Sequence, residues 1–145
     1  MMKFLKFIGI LFIVTAIFAV SAILGYAFVV PSAYVNMNAN TSIGYSLNIY
    51  DYVIDFSSSD ESGENAVCSF NTSYKKITDA VPCTIDKLIK DGYITNENKS
   101  NIIITVTSPD RRKAEKIVRK LEAVMKNYAS QKSEIINVQI KAAVK

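Results

Sequence analysis

Carboxylates are the main side chains in this sequence that could perform acid–base chemistry. The chain has no histidine, which removes the commonest general base, and its two cysteines alone do not support a zinc site. The candidate carboxylates are Asp51, Asp55, Asp60 and Glu61. Paired carboxylates can share acid–base work, but a cluster of acids in a serine-rich stretch is typical of a solvated loop. The pattern favours a protein that is not an enzyme, and it predicts no cofactor and no metal.

The amino-terminal segment predicts a membrane-spanning helix. No charged residue lies between Lys6 and Asp51, and the stretch from Phe7 to Val30 is almost wholly apolar. At ~1.5 Å per residue this stretch forms a helix of roughly 36 Å, which crosses a hydrocarbon core of ~30 Å with some tilt. Lys3 and Lys6 precede it and favour a cytoplasmic amino terminus. We expect a single-pass protein of the cell membrane, with a cytoplasmic tail (1–6), a transmembrane helix (7–30) and an extracellular domain (31–145).

A cleaved secretory signal is the alternative for the same segment. Lys3 and Lys6 resemble the basic region of a signal peptide, and Val20-Ser21-Ala22 fits a cleavage sequence. The apolar run continues to Val30, however, and is longer than the ~7 to 15 residues that a signal peptide needs. The length favours an uncleaved anchor. Both interpretations place the remainder of the chain outside the cytoplasm.

The charges of the extracellular domain are unevenly distributed. Residues 51–100 hold nine acidic and five basic residues, whereas residues 101–145 hold four acidic and ten basic residues. One predicted helix carries Arg111, Arg112, Lys113, Lys116, Arg119, Lys120 and Lys126. Such a helix could attract anionic lipids or cell-wall polymers, although amphipathic helices ordinarily carry their charges on a solvated face. Outside the cytoplasm we do not expect a nucleic-acid partner. The expected partner is the lipid bilayer of the membrane.

Cys68 and Cys83 are candidates for a disulfide bond. Thiols oxidise outside the cytoplasm, and a short segment separates these two residues. The distance between their backbones does not follow from the sequence, so two free thiols are an equal alternative.

The domain opens with predicted β-strands. Three stretches show alternating apolar residues or a majority of strand-forming residues: Tyr34–Asn40, Ser42–Tyr50 and Tyr52–Phe56. Asn48 and Asp51 are the turn-prone residues between the second and the third strand. The polar stretch 57–65 predicts a surface loop, and Ala66–Phe70 predicts another strand.

Two helices and two further strands are predicted in the second half. A first helix runs from about Thr78 to Asp91, with Gly92 at its end and Pro82 predicting a later start or a distortion. A β-branched strand, Asn101–Thr107, precedes a second helix that starts with Ser108 as N-cap and Pro109 at its first position. Ile135–Val144 supplies the last strand. We expect an α+β domain, a small mixed β-sheet with two helices packed on one face.

The segment Tyr34–Phe56 resembles the opening of the extracytoplasmic domain of RsgI-type anti-sigma factors. There, a Y-V-x-x-x-x-N-P-S-I-E pattern leads into strands that end near V-I-x-V. The order continues with Ala80-Val81, a helix ending in Asp91-Gly92-Tyr93-Ile94, and Ile102–Val106 before a charged helix. The resemblance covers roughly residues 34–128.

This resemblance implies a bacterial single-pass regulator. In such a protein a cytoplasmic domain holds an alternative sigma factor inactive, and the outer domain passes a signal inward. Because only Met1–Lys6 precede the apolar segment, we expect this chain to lack the cytoplasmic sigma-binding domain. The expected function is a noncatalytic interaction module, with a protein partner in a sigma/anti-sigma system. No small-molecule ligand is assigned.

The Asn-Pro step of the family is associated with self-cleavage, and it aligns with Asn40-Thr41. An asparagine amide can attack its own carbonyl, and the hydroxyl of Thr41 or Ser42 could attack the preceding carbonyl. Alternatively these residues form an ordinary turn, in which their side chains bond the local backbone. A self-cleaving protein is therefore the alternative function.

Overall fold

The apolar amino-terminal segment forms one continuous helix, α1, from Met2 to Val29. By length and composition, α1 is able to cross a membrane. Its two hydroxyls are satisfied within the helix, because Thr15 Oγ1 donates to the Leu11 carbonyl at 2.7 Å and Ser21 Oγ donates to the Ile17 carbonyl at 2.8 Å. Neither hydroxyl would therefore lack a partner in lipid.

A five-stranded sheet forms the framework of a separate compact unit, residues 31–145. The computed structural model describes residues 1–68, 74–95, 97, 100–132 and 136–144, with residues 62, 66–68 and 144 described by their backbone alone. The strands are β1 (Ala33–Asn38), β2 (Ser42–Leu47), β3 (Val53–Ser58), β4 (Ser100–Ser108) and β5 (Ile136–Val144). Their order across the sheet is β3-β2-β1-β4-β5. β4 and β5 are parallel and the other neighbours antiparallel, which confirms the expected mixed sheet.

In the described part of the domain, three helices accompany the sheet: α2 (Glu61–Cys68), α3 (Ile77–Lys90) and α4 (Arg111–Gln131). Burial alternates along β1, β2 and β4, so one face of the sheet is covered and the other faces solvent. The covered face packs against the apolar stripes of α3 and α4. The largest buried core side chains on these elements are Met37, Ile43, Tyr45, Leu47, Ile77, Ile85, Leu88, Ile102, Ile104, Ile117 and Leu121. The α+β class is confirmed.

Helix α2 corrects the sequence prediction for this region. The stretch 57–65 was expected to be a loop and Ala66–Phe70 a strand, but a helix runs from Glu61 to Cys68, and residues 69–70 lie outside the described part of the chain. The Asp60 carboxylate accepts the Gly63 N–H at 2.9 Å and so acts as an N-cap. Glu61 and Glu64 in the first turn add favourable interactions with the helix dipole.

Two helix starts also differ from the prediction. Helix α4 begins at Arg111 with Asp110 as its N-cap, because the Asp110 side chain accepts the Arg112 N–H at 2.9 Å. Ser108 instead ends β4, where its hydroxyl donates to the Ser32 carbonyl at 3.0 Å. Helix α3 begins at Ile77, one residue before the predicted start at about Thr78, and contains Pro82 in its interior, so of the two effects considered for this proline the later start is wrong.

Gly63 provides a test of how α2 packs on the sheet. A Cβ added at Gly63 would lie 2.1 Å from Ser58 Oγ, 2.8 Å from Thr41 Oγ1 and 3.0 Å from Ile43 Cγ1. We therefore expect Gly63→Ala to lower the free energy of unfolding by about 1–3 kcal/mol, although alanine is the better helix former. Urea unfolding followed by tyrosine fluorescence measures the change.

Asn65→Ala is the matched control, since Asn65 is exposed on the same helix. It should leave the stability unchanged or raise it slightly. If Gly63→Ala stabilises the protein as much as Asn65→Ala does, the close packing of α2 is wrong.

Candidate functional site

The turn that joins β1 to β2 contains the candidate cleavage step Asn40-Thr41. The turn closes with a backbone hydrogen bond of 2.9 Å from the Ala39 N–H to the Thr41 carbonyl. Asn40 is exposed, whereas Thr41 is buried with 5% of its surface accessible. The structure thus presents the first residue to solvent and directs the second toward the protein.

Thr41 contacts a carboxylate inside the turn. Its hydroxyl donates to Asp60 Oδ1 at 2.7 Å, and the same oxygen accepts the N–H of Gly63 at the start of α2. Asp60 therefore joins the β1–β2 turn to the amino terminus of α2. A carboxylate in this position can also accept the hydroxyl proton if the Thr41 oxygen acts as a nucleophile.

Asn40 is held by a different partner. Its Nδ2 donates to the Tyr93 carbonyl at 2.6 Å, in the loop that follows α3. This contact engages the amide nitrogen that would have to attack the Asn40 carbonyl. Among the described residues, the non-glycine residues with positive φ are Asp51 and Tyr74, so neither Asn40 nor Thr41 has a left-handed backbone. Of the two candidate nucleophiles, the Thr41 hydroxyl is the one that is hydrogen-bonded to a carboxylate.

The four candidate carboxylates do not form one acid–base site. Asp51 lies in the β2–β3 loop and Asp60 follows β3, so they lie at opposite ends of the sheet. Asp55 is exposed in β3, and Glu61 is exposed in the first turn of α2. Within the described part of the chain, no group of acidic and cysteine side chains is arranged to hold a metal ion.

The β2–β3 loop is a second polar cluster, and it is organised by the buried Asn48. The Asn48 side-chain oxygen accepts the backbone N–H groups of Tyr50 and Tyr52 at 3.0 and 3.1 Å. Asp51 follows with φ 68°, in the left-handed region. The prediction of a turn at Asn48 and Asp51 is confirmed.

Two lysines of α4 bind this loop, a role that the sequence did not reveal. Lys120 Nζ lies 2.5 Å from Asp51 Oδ2, and Lys113 Nζ donates to the Asn48 carbonyl at 3.1 Å and to Ser32 Oγ. Burial lowers the pKa of the Lys113 ammonium, and the nearby Asp51 opposes this effect. The basic residues of α4 are therefore not all on a solvated face, because these two have structural partners.

The predicted disulfide is not decided by these contacts. Cys83 is half-buried on α3, and the side chain of Cys68 lies outside the described part of the chain. The pairing of these two cysteines stays a prediction.

Asp60 provides a test of the connection between the turn and α2. Asp60→Ala removes both the N-cap and the acceptor for the buried Thr41 hydroxyl, so we expect a loss of about 2 kcal/mol in the free energy of unfolding. Asp60→Asn keeps a side-chain oxygen for both bonds and should cost less than about 1 kcal/mol. Urea unfolding of both variants measures the difference, and an Asp60→Ala variant as stable as the wild type would contradict the assignment.

The sequence of this domain matches a known protein family. Residues 32–145 match the family model described as the anti-sigma factor RsgI-like central domain. The anti-sigma-I factor RsgI7 of Acetivibrio thermocellus is 29% identical over 100 residues, which is 68% of this chain and 18% of that protein. The chain thus matches less than a fifth of the length of this curated relative.

The matched region contains all five strands, the three helices beside them, and the Asn40-Thr41 turn. The chain therefore belongs to the RsgI-like anti-sigma factor central domain family.

Proposed function

We propose that this chain is a membrane-anchored, extracytoplasmic interaction module that takes part in the transmembrane regulation of an alternative sigma factor. The observation that carries the proposal is the order of its two units. Helix α1 ends at Val29, and the match to the RsgI-like domain begins at residue 32. A membrane helix joined to a domain by so few residues tethers that domain close to the bilayer.

The distribution of polar groups supports an anchor rather than a soluble helix. α1 has no buried residues within the chain and carries only Lys3 and Lys6 as charges, both at its amino-terminal end. Lipid is the environment that removes such a surface from water, and the two lysines favour the cytoplasmic side for the amino terminus. The domain after residue 31 then lies outside.

The proposed interaction role rests on the contacts of the polar side chains in the domain and on the family to which the domain belongs. In the described residues, the carboxylates, hydroxyls and lysines with assigned partners mostly stabilise turns and helix ends, as Asp60 does at α2 and Lys120 does at Asp51. The family is one of regulators, and the relative RsgI7 is named as an anti-sigma-I factor. A sigma/anti-sigma system is accordingly the proposed context of the protein partner.

Labelling of single cysteines tests the proposed orientation. With Cys68 and Cys83 replaced by serine, one variant carries Asn127→Cys at an exposed position of α4 and a matched control carries Met2→Cys, which keeps both lysines. A membrane-impermeant maleimide should label Asn127→Cys in intact cells and Met2→Cys only after permeabilisation. The reverse pattern would contradict the topology.

We propose self-processing at Asn40-Thr41 as the second candidate function, because the Thr41 hydroxyl is bonded to Asp60. In this step Asp60 takes the hydroxyl proton while Thr41 Oγ1 attacks the Asn40 carbonyl carbon. The Asn40–Thr41 C–N bond breaks, the leaving nitrogen takes a proton, and an ester joins the two residues. Water then hydrolyses the ester, which leaves a free carboxylate on Asn40 and a free amine on Thr41.

Thr41→Val tests self-processing, because valine keeps the shape of threonine without the hydroxyl. Under this second candidate function, a fragment that begins at Thr41 forms in the purified wild-type protein, and its rate of formation falls at least about a hundredfold in Thr41→Val. Ser42→Ala, which removes the neighbouring hydroxyl, should cleave normally. Persistence of the same cut in Thr41→Val would exclude this mechanism.

A further inference from the structure

The tether between α1 and the domain is very short. The Val30 N–H still donates to the Tyr26 carbonyl of α1 at 3.1 Å. The Ser32 N–H already donates to the Leu47 carbonyl of β2 at 2.7 Å. Pro31 is the single residue between them, so the tether spans about 7 Å at most. With α1 in a bilayer, which is the anchor proposed above and the basis of this inference, the Ser32 end of the domain lies at the level of the lipid headgroups.

Several parts of the chain meet at this end of the domain, which we call the anchor end. Leu47 pairs with Ala33, so the β2–β3 loop begins beside the tether. The Ser108 hydroxyl donates to the Ser32 carbonyl at 3.0 Å, so the end of β4 and the start of α4 lie there too. The opposite end, which we call the far end, contains the β1–β2 turn, the start of α2 and the loop after α3. The six-residue strand β1 separates the two ends by roughly 20 Å.

Exposed apolar and aromatic side chains are concentrated at the anchor end. Outside α1, the large side chains of this kind that the described residues expose are Tyr34, Ile49, Tyr50, Tyr74 and Tyr93. The first of them lies at the start of β1, and the next two lie in the β2–β3 loop. The Tyr74 N–H donates to the carbonyl of Val53, the first residue of β3, at 2.7 Å. Of the five, Tyr93 alone is at the far end. Tyrosine is a residue that favours the interface between membrane and water.

A basic cavity lies at the same end. It has a volume of about 290 Å³, and its lining residues, from the β2–β3 loop and the start of α4, are Ile49, Asp51, Asp110, Arg112, Lys113 and Lys116. Both carboxylates have other partners, because Asp51 binds Lys120 and Asp110 accepts the Arg112 N–H. The side chains of Arg112 and Lys116 are exposed. The cavity therefore presents cations to solvent beside an apolar side chain.

We propose that the anchor end is a membrane-docking surface, which binds the anionic phospholipid headgroups of the bilayer that holds α1. Arg112 and Lys116 bind the lipid phosphates, and Ile49 and Tyr50 enter the boundary between headgroups and acyl chains. Lys113 keeps its bonds to Asn48 and supports the loop from below. Cations and apolar side chains on one surface are the combination that an anionic bilayer attracts.

The charges of the far end favour the same orientation. Asp60, Glu61 and Glu64 are exposed there, around the start of α2. An anionic surface repels these carboxylates, so the two ends of the domain respond to the membrane in opposite ways. Docking then holds the Asn40-Thr41 turn away from the bilayer, where a partner protein has access to it.

The apolar residues favour lipid over an acidic polymer of the cell wall. Such a polymer would also attract Arg112 and Lys116, but it offers no apolar environment to Ile49 and Tyr50. Ile49 is 48% exposed and Tyr50 is 46% exposed. A bilayer interface removes this apolar surface from water as well as pairing the cations.

Quenching of tryptophan fluorescence by brominated lipids tests the proposal. The chain contains no tryptophan, so Tyr50→Trp introduces a single reporter at the anchor end, and Tyr93→Trp is the matched reporter at the far end. Each full-length variant is reconstituted into nanodiscs of phosphatidylglycerol or of phosphatidylcholine, brominated near the headgroups. Tyr50→Trp should be quenched strongly in the anionic discs and less in the zwitterionic discs. Tyr93→Trp should be quenched in neither.

Substitutions in the Tyr50→Trp background separate the two contributions. Arg112→Gln combined with Lys116→Gln should lower the ratio of docked to undocked chains about thirtyfold, since each cation contributes about fivefold. Lys90→Gln combined with Lys126→Gln is the matched control, because it removes two exposed cations elsewhere on α3 and α4, and it should leave the ratio unchanged. Ile49→Ser should lower the ratio about fivefold, a change that attraction between charges alone does not produce.

The outcomes distinguish docking from anchoring. Chains that co-elute with the discs while Tyr50→Trp stays unquenched would overturn the docking and leave the anchor standing. Equal quenching in both lipids, or quenching that the loss of Arg112 and Lys116 does not change, would also overturn it. Chains that fail to co-elute with the discs would contradict the anchor, and the docking proposal with it.

Discussion

The fold depends on covering one face of a twisted sheet whose strands present apolar side chains at alternate positions. Val35, Ile43 and Ile104 belong to this face, and each is fully buried. Helices α3 and α4 bury it with their own apolar stripes, and this contact supplies most of the hydrophobic stabilisation of the domain. The loops are then fixed by polar contacts at the two ends of the sheet. Lys113 and Lys120 hold the β2–β3 loop, and Asp60 holds the β1–β2 turn.

The candidate site depends on this framework because its residues come from distant parts of the chain. Thr41 meets Asp60 only because α2 packs against the end of β2 and β3, and Asn40 meets Tyr93 only because α3 ends beside the same turn. The same covering of one face leaves the other face of the sheet exposed, and among the described elements the outer side of β5 has no partner strand.

Periodicity in the sequence predicted most of the fold. The alternation in Ser42–Leu47, the β-branched run that forms β4 and the three- and four-residue spacing in α3 reflect local geometry, and the structure confirms these elements. Helix α2 was missed because its first five residues are polar or glycine and it lacks an apolar stripe. Asp60 followed by Glu61 and Glu64 was the available signal for its start. The contact between Thr41 and Asp60 was not predictable, since it depends on tertiary packing across 19 residues of sequence.

The central claim is that α1 remains attached to the RsgI-like domain and holds it at the membrane. Intact mass of a full-length chain with a carboxy-terminal tag, measured separately in the membrane fraction and the soluble extracellular fraction, tests this claim most directly. The account predicts the mass of the complete chain in the membrane fraction. A soluble product that begins at Ile23 would contradict it, because the protein would then be secreted after removal of a signal peptide.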